Sequence, residues 1–196
     1  MSSTNPVGSE VIYQMPAVGV TKTTTTQSLV SGNAAGNPAF QMPALASIWA
    51  PDRMAGKGLW FLAGGTYDAT AVTNAMVLSY DPTQGTIGTT IAATGACTVV
   101  SSTTASWSMN VLLTCTQAGN NTSNWMSSGA IEYGPSNNAA TAALSRFAMG
   151  GAQAAGVPTA LALATNATIG YIELWSTWGT APTAFVCSQF MILGLN

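Results

Sequence analysis

The stretch SWSMNVLLTCT, from Ser106 to Thr116, decides the fold class. Its odd-numbered positions from Trp107 to Cys115 are apolar, and its even-numbered positions are Ser, Asn or Thr, with Leu112 as the exception. Successive side chains of a strand point to opposite faces, so this alternation predicts a strand with one buried face and one wet face. The pattern is typical of an antiparallel sheet that packs on a single side.

The chain around this stretch alternates short β-like runs with Gly, Pro, Asn and Asp turn signals. No window of about a dozen residues has the period of a helix. We therefore expect about nine strands in an all-β fold, which indicates a β-sandwich or a barrel; a size of roughly 150 residues favours an antiparallel β-sandwich of jelly-roll type. The predicted strands are Phe40–Ile48, Lys57–Tyr67, Asn74–Tyr80, Thr89–Val100, Ser106–Thr116, Trp125–Tyr133, Thr159–Ala164, Thr168–Trp178 and Ala184–Leu195.

The domain organisation follows from a change in composition near residue 40. Residues 1–39 contain TKTTTTQSLVSGNAAGNP, which cannot build a core alone, and are expected to form an extended N-terminal arm. If ordered, this arm is held by a neighbouring subunit or by the outside of its own sheet. Residues 40–196 form the predicted sandwich. Within them, the Ala-, Gly- and Asn-rich segment Asn137–Pro158 is expected to be a long loop with at most a helical turn at Ala139–Leu144.

The charge content is the most informative feature of the composition. Only 5% of the 196 residues are charged, against about 25% in ordinary soluble proteins. Hydrophobic residues make up 47%, so neutral polar and small residues stand where charges are usual. Because the formal net charge is only −2, copies of the chain repel one another weakly. This composition predicts a protein that works inside an assembly.

Several classes of partner are disfavoured by the sequence. The four cations, Lys22, Arg53, Lys57 and Arg146, form no basic stripe for phosphate contacts, so nucleic-acid binding is not expected. No apolar run approaches the roughly 18 residues of a membrane span. The N-terminus MSSTNPVGSE lacks the cationic and apolar parts of a signal peptide. We expect a soluble protein that is synthesised in a cytoplasm and does not contact a membrane.

No catalytic or cofactor-binding residue can be assigned. The sequence has no histidine, the commonest general base, and no acid or base motif. Enzymatic activity would require Asp68, Asp81, Glu132 and Glu173 to converge in a cleft. Asp68 and Asp81 are expected to cap turns, since no dense acidic loop for a metal is present. The chain is therefore interpreted as non-enzymatic, with no catalytic, cofactor or metal site.

The three cysteines, Cys97, Cys115 and Cys187, lie far apart in strand-like runs. They form no C-x-x-C pair and have no histidine to complete a zinc site. Buried free thiols are the preferred interpretation. A Cys97–Cys115 disulfide is the open alternative.

The tryptophans suggest a surface for self-association. In Leu59–Leu62 and in Ile172–Trp175 both faces of the strand are apolar, as in strands buried by their own core and by a second subunit. The segment Tyr171–Asn196 is predicted to be the closing β-hairpin, with its turn at Gly179–Thr183. The candidate subunit-interface residues are Trp60, Trp175 and Trp178.

Several short motifs resemble a recurrent structural protein of tailed bacteriophages. They are Phe40-Gln41-Met42-Pro43-Ala44, Gly56-Lys57-Gly58-Leu59-Trp60, Ser106-Trp107-Ser108-Met109, Leu174-Trp175-Ser176-Thr177-Trp178-Gly179 and the final Gln189–Asn196. The resemblance runs in order over residues 28–196. It implies a virion protein with a jelly-roll sandwich, trimeric, without enzymatic activity or cofactor, that serves as a head decoration, minor capsid or fibre-like component.

Two functional hypotheses follow. In the first, the chain is a capsid decoration or cement protein of a tailed bacteriophage, which self-associates as a trimer and binds the major capsid protein or other virion proteins at the head surface. In the second, it is a carbohydrate- or receptor-binding module of a phage tail or fibre that uses exposed aromatics such as Trp125 and Tyr133. Finding both aromatics buried would end the second hypothesis in this form.

Overall fold

The computed structural model describes residues 9–15, 18–31, 40–42, 55–70, 72–119, 122–134, 144–150, 160–164 and 170–195. Within these ranges the regular structure consists of strands, and no helix is present. The strands are β1 (Ser9–Gln14), β2 (Ser28–Leu29), β3 (Phe40–Met42), β4 (Gly58–Ala69), β5 (Val72–Asp81), β6 (Thr89–Ala93), β7 (Cys97–Val99), β8 (Ser102–Gln117), β9 (Thr122–Tyr133), β10 (Ser145–Met149), β11 (Ala160–Ala164), β12 (Gly170–Trp178) and β13 (Ala184–Leu195).

The strands form two antiparallel sheets. Sheet A has the order β1-β13-β4-β8-β9-β10, and β11 pairs with the part of β9 that β10 leaves free. Sheet B has the order β2-β12-β5-β6, with β3 also on β12 and β7 also on β5. The stretch Ser106–Thr116 lies in β8, between β4 and β9, and its alternation is reproduced in the burial of its side chains.

The two sheets pack face to face over one hydrophobic core. The Trp178 ring of sheet B meets the Phe185 ring of sheet A edge-on at 5.3 Å between centroids. Ser127 in β9 donates its hydroxyl to the carbonyl of Ile91 in β6 at 2.5 Å, which ties the sheets together at another point of the core. The predicted all-β, antiparallel sandwich is therefore confirmed, whereas the jelly-roll connectivity and the domain boundary at residue 40 stay predictions.

One strand prediction and one loop prediction in the middle of the chain were wrong in detail. Thr89–Val100 is divided into β6 and β7 because Gly95, with φ of 67°, turns the chain between them. The segment Asn137–Pro158, predicted as a loop, contains β10. There Phe147 packs edge-on against Tyr133 at 6.1 Å and Met149 is fully buried, so tertiary packing supplies what the polar, small-residue composition concealed. Residues 43–48 of the first predicted strand and 139–143 of the predicted helical turn lie outside the described residues.

The predicted closing hairpin was also wrong. β12 pairs with β5 in sheet B, whereas β13 pairs with β4 in sheet A, so the segment 179–183 crosses from one sheet to the other. The reason is that Trp178 and Phe185, on either side of this segment, both point into the core and contact each other. Burial of two large rings favours a crossing between layers over a hairpin within one sheet.

Residues 9–15 and 18–31, part of the predicted arm, are held by the edges of the chain's own two sheets. β1 pairs with β13, and the amides of Met15, Gly19 and Lys22 donate to carbonyls farther along the same strand. The segment then reaches sheet B, where β2 pairs with β12 and the Val30 amide donates to the Leu174 carbonyl at 2.8 Å. We call residues 9–15 and 18–31 the clasp, since they bond to both consecutive strands β12 and β13.

Candidate interaction face

The outer face of sheet A carries the side chains that point away from the core. In β8 these are the even-numbered residues from Ser106 to Thr116, and in β4 they are Trp60, Leu62 and Gly64, because Leu59, Phe61 and Ala63 are buried. β4 and β8 are each paired on both sides, which satisfies the backbone groups at the centre of this face. Another surface could therefore cover it without leaving those groups unpaired.

A row of apolar side chains crosses this face. The register places Val11 opposite Leu193, Leu193 opposite Trp60 and Trp60 opposite Leu112, so one apolar residue comes from each of four neighbouring strands. Val11 is 56% exposed and Leu112 is 36% exposed, while Trp60 and Leu193 are half-buried. We call these four residues the apolar row. Leu112 is the residue that broke the alternation of the sequence, and its exposure identifies that break as a surface feature.

The Trp60 side chain has a satisfied polar group. Its indole Nε1 donates to Asn110 Oδ1 at 2.6 Å, across to the neighbouring strand. Tryptophan combines a large apolar area with one N–H that must be paired when buried. Since that N–H already has its partner on the same face, covering Trp60 with an apolar surface would leave no unpaired donor on the ring.

A shallow groove of about 600 Å³ lies beside the apolar row on the same face. Its lining includes Gly64, Ser108 and Gly129, where the side chains are minimal, together with the larger Leu62 and Leu112. The small residues form the hollow. We call Trp60 and Leu112, which lie opposite each other beside it, the ridge. The face is therefore neither flat nor featureless.

The charges of this part of the face form one pair at its margin. The Arg146 Nε in β10 lies 3.3 Å from the Glu132 Oε1 in β9, and these two residues are also opposite in the strand register. Such an exposed pair contributes only about 0–1 kcal/mol to stability. Its importance here is that the two charges compensate each other, so the groove and the apolar row together have no net charge.

The three tryptophans predicted to form a subunit interface have different positions. Trp60 lies on the outer face of sheet A, as described above. Trp178 is 2% exposed and lies in the core of the sandwich, so its assignment to an interface was wrong. Trp175 lies on the outer face of sheet B but is only 9% exposed, and its Nε1 donates to Ser79 Oγ at 3.1 Å. Alternation alone could not distinguish these environments, because both faces of β12 are buried.

The two aromatics predicted to bind a carbohydrate are buried. Trp125 is 0% exposed, with its Nε1 donating to Ser123 Oγ at 2.6 Å. Tyr133 is 1% exposed and donates its hydroxyl to Asn74 of the opposite sheet. Neither ring can stack on a ligand at the surface, so the second hypothesis was wrong in the form that used them.

The four carboxylates required for a catalytic cleft do not converge. Glu132 is on the outer face of sheet A, and Glu173 is on the outer side of sheet B, on the other side of the core. Among the described residues, no group of three or more His, Cys, Asp or Glu side chains could hold a metal ion. Asp81 caps a turn, as predicted, because its Oδ1 accepts bonds from the Thr83 amide at 2.5 Å and the Thr86 hydroxyl at 3.0 Å.

Glu173 is an unusual group that the sequence did not single out for its burial. Its side chain is fully buried, and Oε1 accepts a hydrogen bond from the Gly85 amide at 2.8 Å. Oε2 has no hydrogen-bond partner among the described residues. Burial raises the pKa of this carboxyl, the Gly85 bond opposes that shift, and the neighbouring Asp81 raises the pKa further.

The cysteines are buried free thiols, as predicted, and the alternative Cys97–Cys115 disulfide is not formed. Burial raises the pKa of the Cys187 thiol to about 12, despite hydrogen bonds from the backbone of Gln189 and Gly64 that favour the thiolate. A thiol in this environment is a packing group and a poor nucleophile.

No protein-family model matches the chain, and neither a curated protein nor a solved structure matches it. Within the described residues there is also no helix with the length and apolar character needed to cross a membrane.

Proposed function

We propose that this chain is a non-enzymatic structural protein of a tailed bacteriophage particle, a decoration or cement protein that self-associates and binds the major capsid protein at the head surface. The observation that carries the proposal is the outer face of sheet A, where the apolar row lies exposed beside a groove without net charge. Contiguous exposed apolar surface on a soluble chain commonly marks an interaction site.

The composition supports an assembly in the same way. With 5% charged residues and a net charge of −2, the surface neither steers charged ligands nor keeps copies apart. A decoration protein needs surfaces that join copies and cover a shell, which suits a rigid sandwich with a neutral polar coat. The motifs of β4, β8, β12 and β13 add the resemblance to phage structural proteins, and that resemblance implies a trimer.

The proposal gives the clasp a second role at the head surface. Val18, which is 59% exposed, presents an apolar side chain although the clasp is bonded to its own sheets. In the proposal this side chain lies along the shell. Removing the whole arm would also remove the bonds to β12 and β13, so the role of the clasp is better tested with surface substitutions.

Co-sedimentation with purified, undecorated heads of the phage that encodes the chain tests this proposal. We expect saturable binding at a fixed ratio to the shell subunit, and weaker binding by Val18→Asp than by Thr98→Asp. Thr98 is an exposed strand residue of sheet B, so this control adds the same charge elsewhere. Failure of the unmodified chain to bind the heads would contradict the proposal. Equal binding by the two variants would show that the clasp does not contact the shell.

A further inference from the structure

We infer that the outer face of sheet A is the contact between two copies of this chain, related by a two-fold axis in which the ridge of each copy enters the groove of the other. The inference rests on the proposed function, because it names the surface and the partner of the self-association; it assigns a two-fold pair in place of the trimer that the resemblance implies. The observation behind it is that a ridge and a hollow occur side by side on one face.

The register gives the spacing of ridge and hollow. Trp60 and Leu112 are opposite each other, whereas Gly64 is opposite Ser108, four residues farther along β4. At about 3.3 Å per residue, the ridge and the hollow are separated by roughly 13 Å along the strands. A two-fold axis that runs across the strands between them, near Leu62, places Trp60 of each copy over Gly64 of the other.

The area of the face is that of a stable protein contact. β4 has 12 residues, which gives a length of about 40 Å at about 3.3 Å per residue. The five strands from β1 to β9 in sheet A, about 4.8 Å apart, give a width of about 19 Å. The face is therefore roughly 750 Å², close to the ~800 Å² that each partner contributes to a standard interface.

The charges also favour a second copy over a charged partner. A two-fold contact brings identical groups together, so any net charge at its centre would be repelled by itself. The apolar row and the floor of the groove are uncharged, and Arg146 is already paired with Glu132. The Trp60 Nε1 and the backbone of β4 and β8 are already paired, so a second copy can cover them without leaving these donors unsatisfied.

Light scattering coupled to size-exclusion chromatography tests the inference on the purified full-length chain over a concentration series. We expect a mass of about 40 kDa, twice the 19.9 kDa of one chain. Leu112→Lys on the ridge and Ser108→Arg in the groove should each weaken the dimer roughly tenfold or more, because the two-fold axis sets residue 112 of one copy over residue 108 of the other, so that each variant buries a charge at an uncharged contact. Both positions are exposed, and circular dichroism verifies that the variants fold. Thr98→Lys, on sheet B, should leave the mass unchanged.

A cross-link tests the symmetry. Leu62→Cys places a thiol near the proposed axis, and mild oxidation should give a disulfide-linked dimer, whereas Thr98→Cys should not. The native cysteines are buried and contribute little background. A monomeric wild-type chain, an oligomer that persists in Leu112→Lys and Ser108→Arg, or the absence of the Leu62→Cys cross-link would each overturn the inference. A trimer that these variants leave intact would overturn it while the proposed function stood, since heads could still be bound.

Discussion

Replacing Val30 by alanine tests whether the clasp is part of the chain's own fold. Val30 is 1% exposed and its amide is bonded to Leu174 of β12. The substitution removes two methyl groups, worth about 1.6 kcal/mol of apolar burial, and leaves a small cavity. We expect the free energy of attaching the clasp to fall by about 2–3 kcal/mol.

A loss of about 2–3 kcal/mol corresponds to a roughly 30- to 150-fold larger population of molecules with the clasp detached. Native-state hydrogen exchange measures this population directly at the amides of Met15, Lys22 and Val30, each bonded to a carbonyl of β12 or β13. If the clasp opens without global unfolding, exchange at these amides should accelerate together while amides of β8 stay protected. If opening requires global unfolding, the urea midpoint should fall instead.

The matched control is Val18→Ala in the same segment. Val18 is 59% exposed, so the same chemical change should alter stability by no more than about 0.5 kcal/mol. Equal exchange rates and equal urea midpoints for the two variants would refute the account of the clasp. The clasp would then gain its order from something other than β12 and β13.

Three further predictions concern buried groups. Because the pKa of Glu173 is raised in the folded state, its contribution to stability is present below about pH 4.5 and is lost as the pH rises through that raised pKa. Glu173→Gln should therefore stabilise the chain at neutral pH, and urea unfolding at several pH values should show a smaller loss of stability with rising pH. Trp178 Nε1 has no hydrogen-bond partner among the described residues, whereas Trp125 Nε1 is bonded. Trp178→Phe should therefore lower the free energy of unfolding in urea by about 2 kcal/mol less than Trp125→Phe does, and equal losses would contradict this. Cys187 should resist alkylation in the native protein and react on unfolding, as mass spectrometry would show; rapid native labelling would contradict its burial.

The fold class could be predicted because the alternation in Ser106–Thr116 depends only on local geometry. β8 is a central strand with one buried and one wet face, and its pattern therefore appears in the sequence without knowledge of its neighbours. The same reasoning failed at Trp178. Both faces of β12 are buried, so apolar residues at every position say nothing about which sheet the strand joins or which neighbour follows it.

The candidate site was predictable only in part for the same reason. Trp60 was identified from the apolar character of both faces of its strand, and its position on the outer face agrees with a surface role. The apolar row could not be assembled, because it depends on the register among β1, β13, β4 and β8, which are distant in sequence. The clasp was hidden by its own composition, since most of its bonds to β12 and β13 are made by the backbone and need few apolar side chains.

The most direct test of the central claim is the copy number of this chain in purified phage particles, measured by quantitative mass spectrometry against the major capsid protein. The proposed role predicts a constant copy number in simple proportion to the hexamers or pentamers of the head, together with location on the head surface. Absence from particles, or a handful of copies confined to the tail, would contradict it.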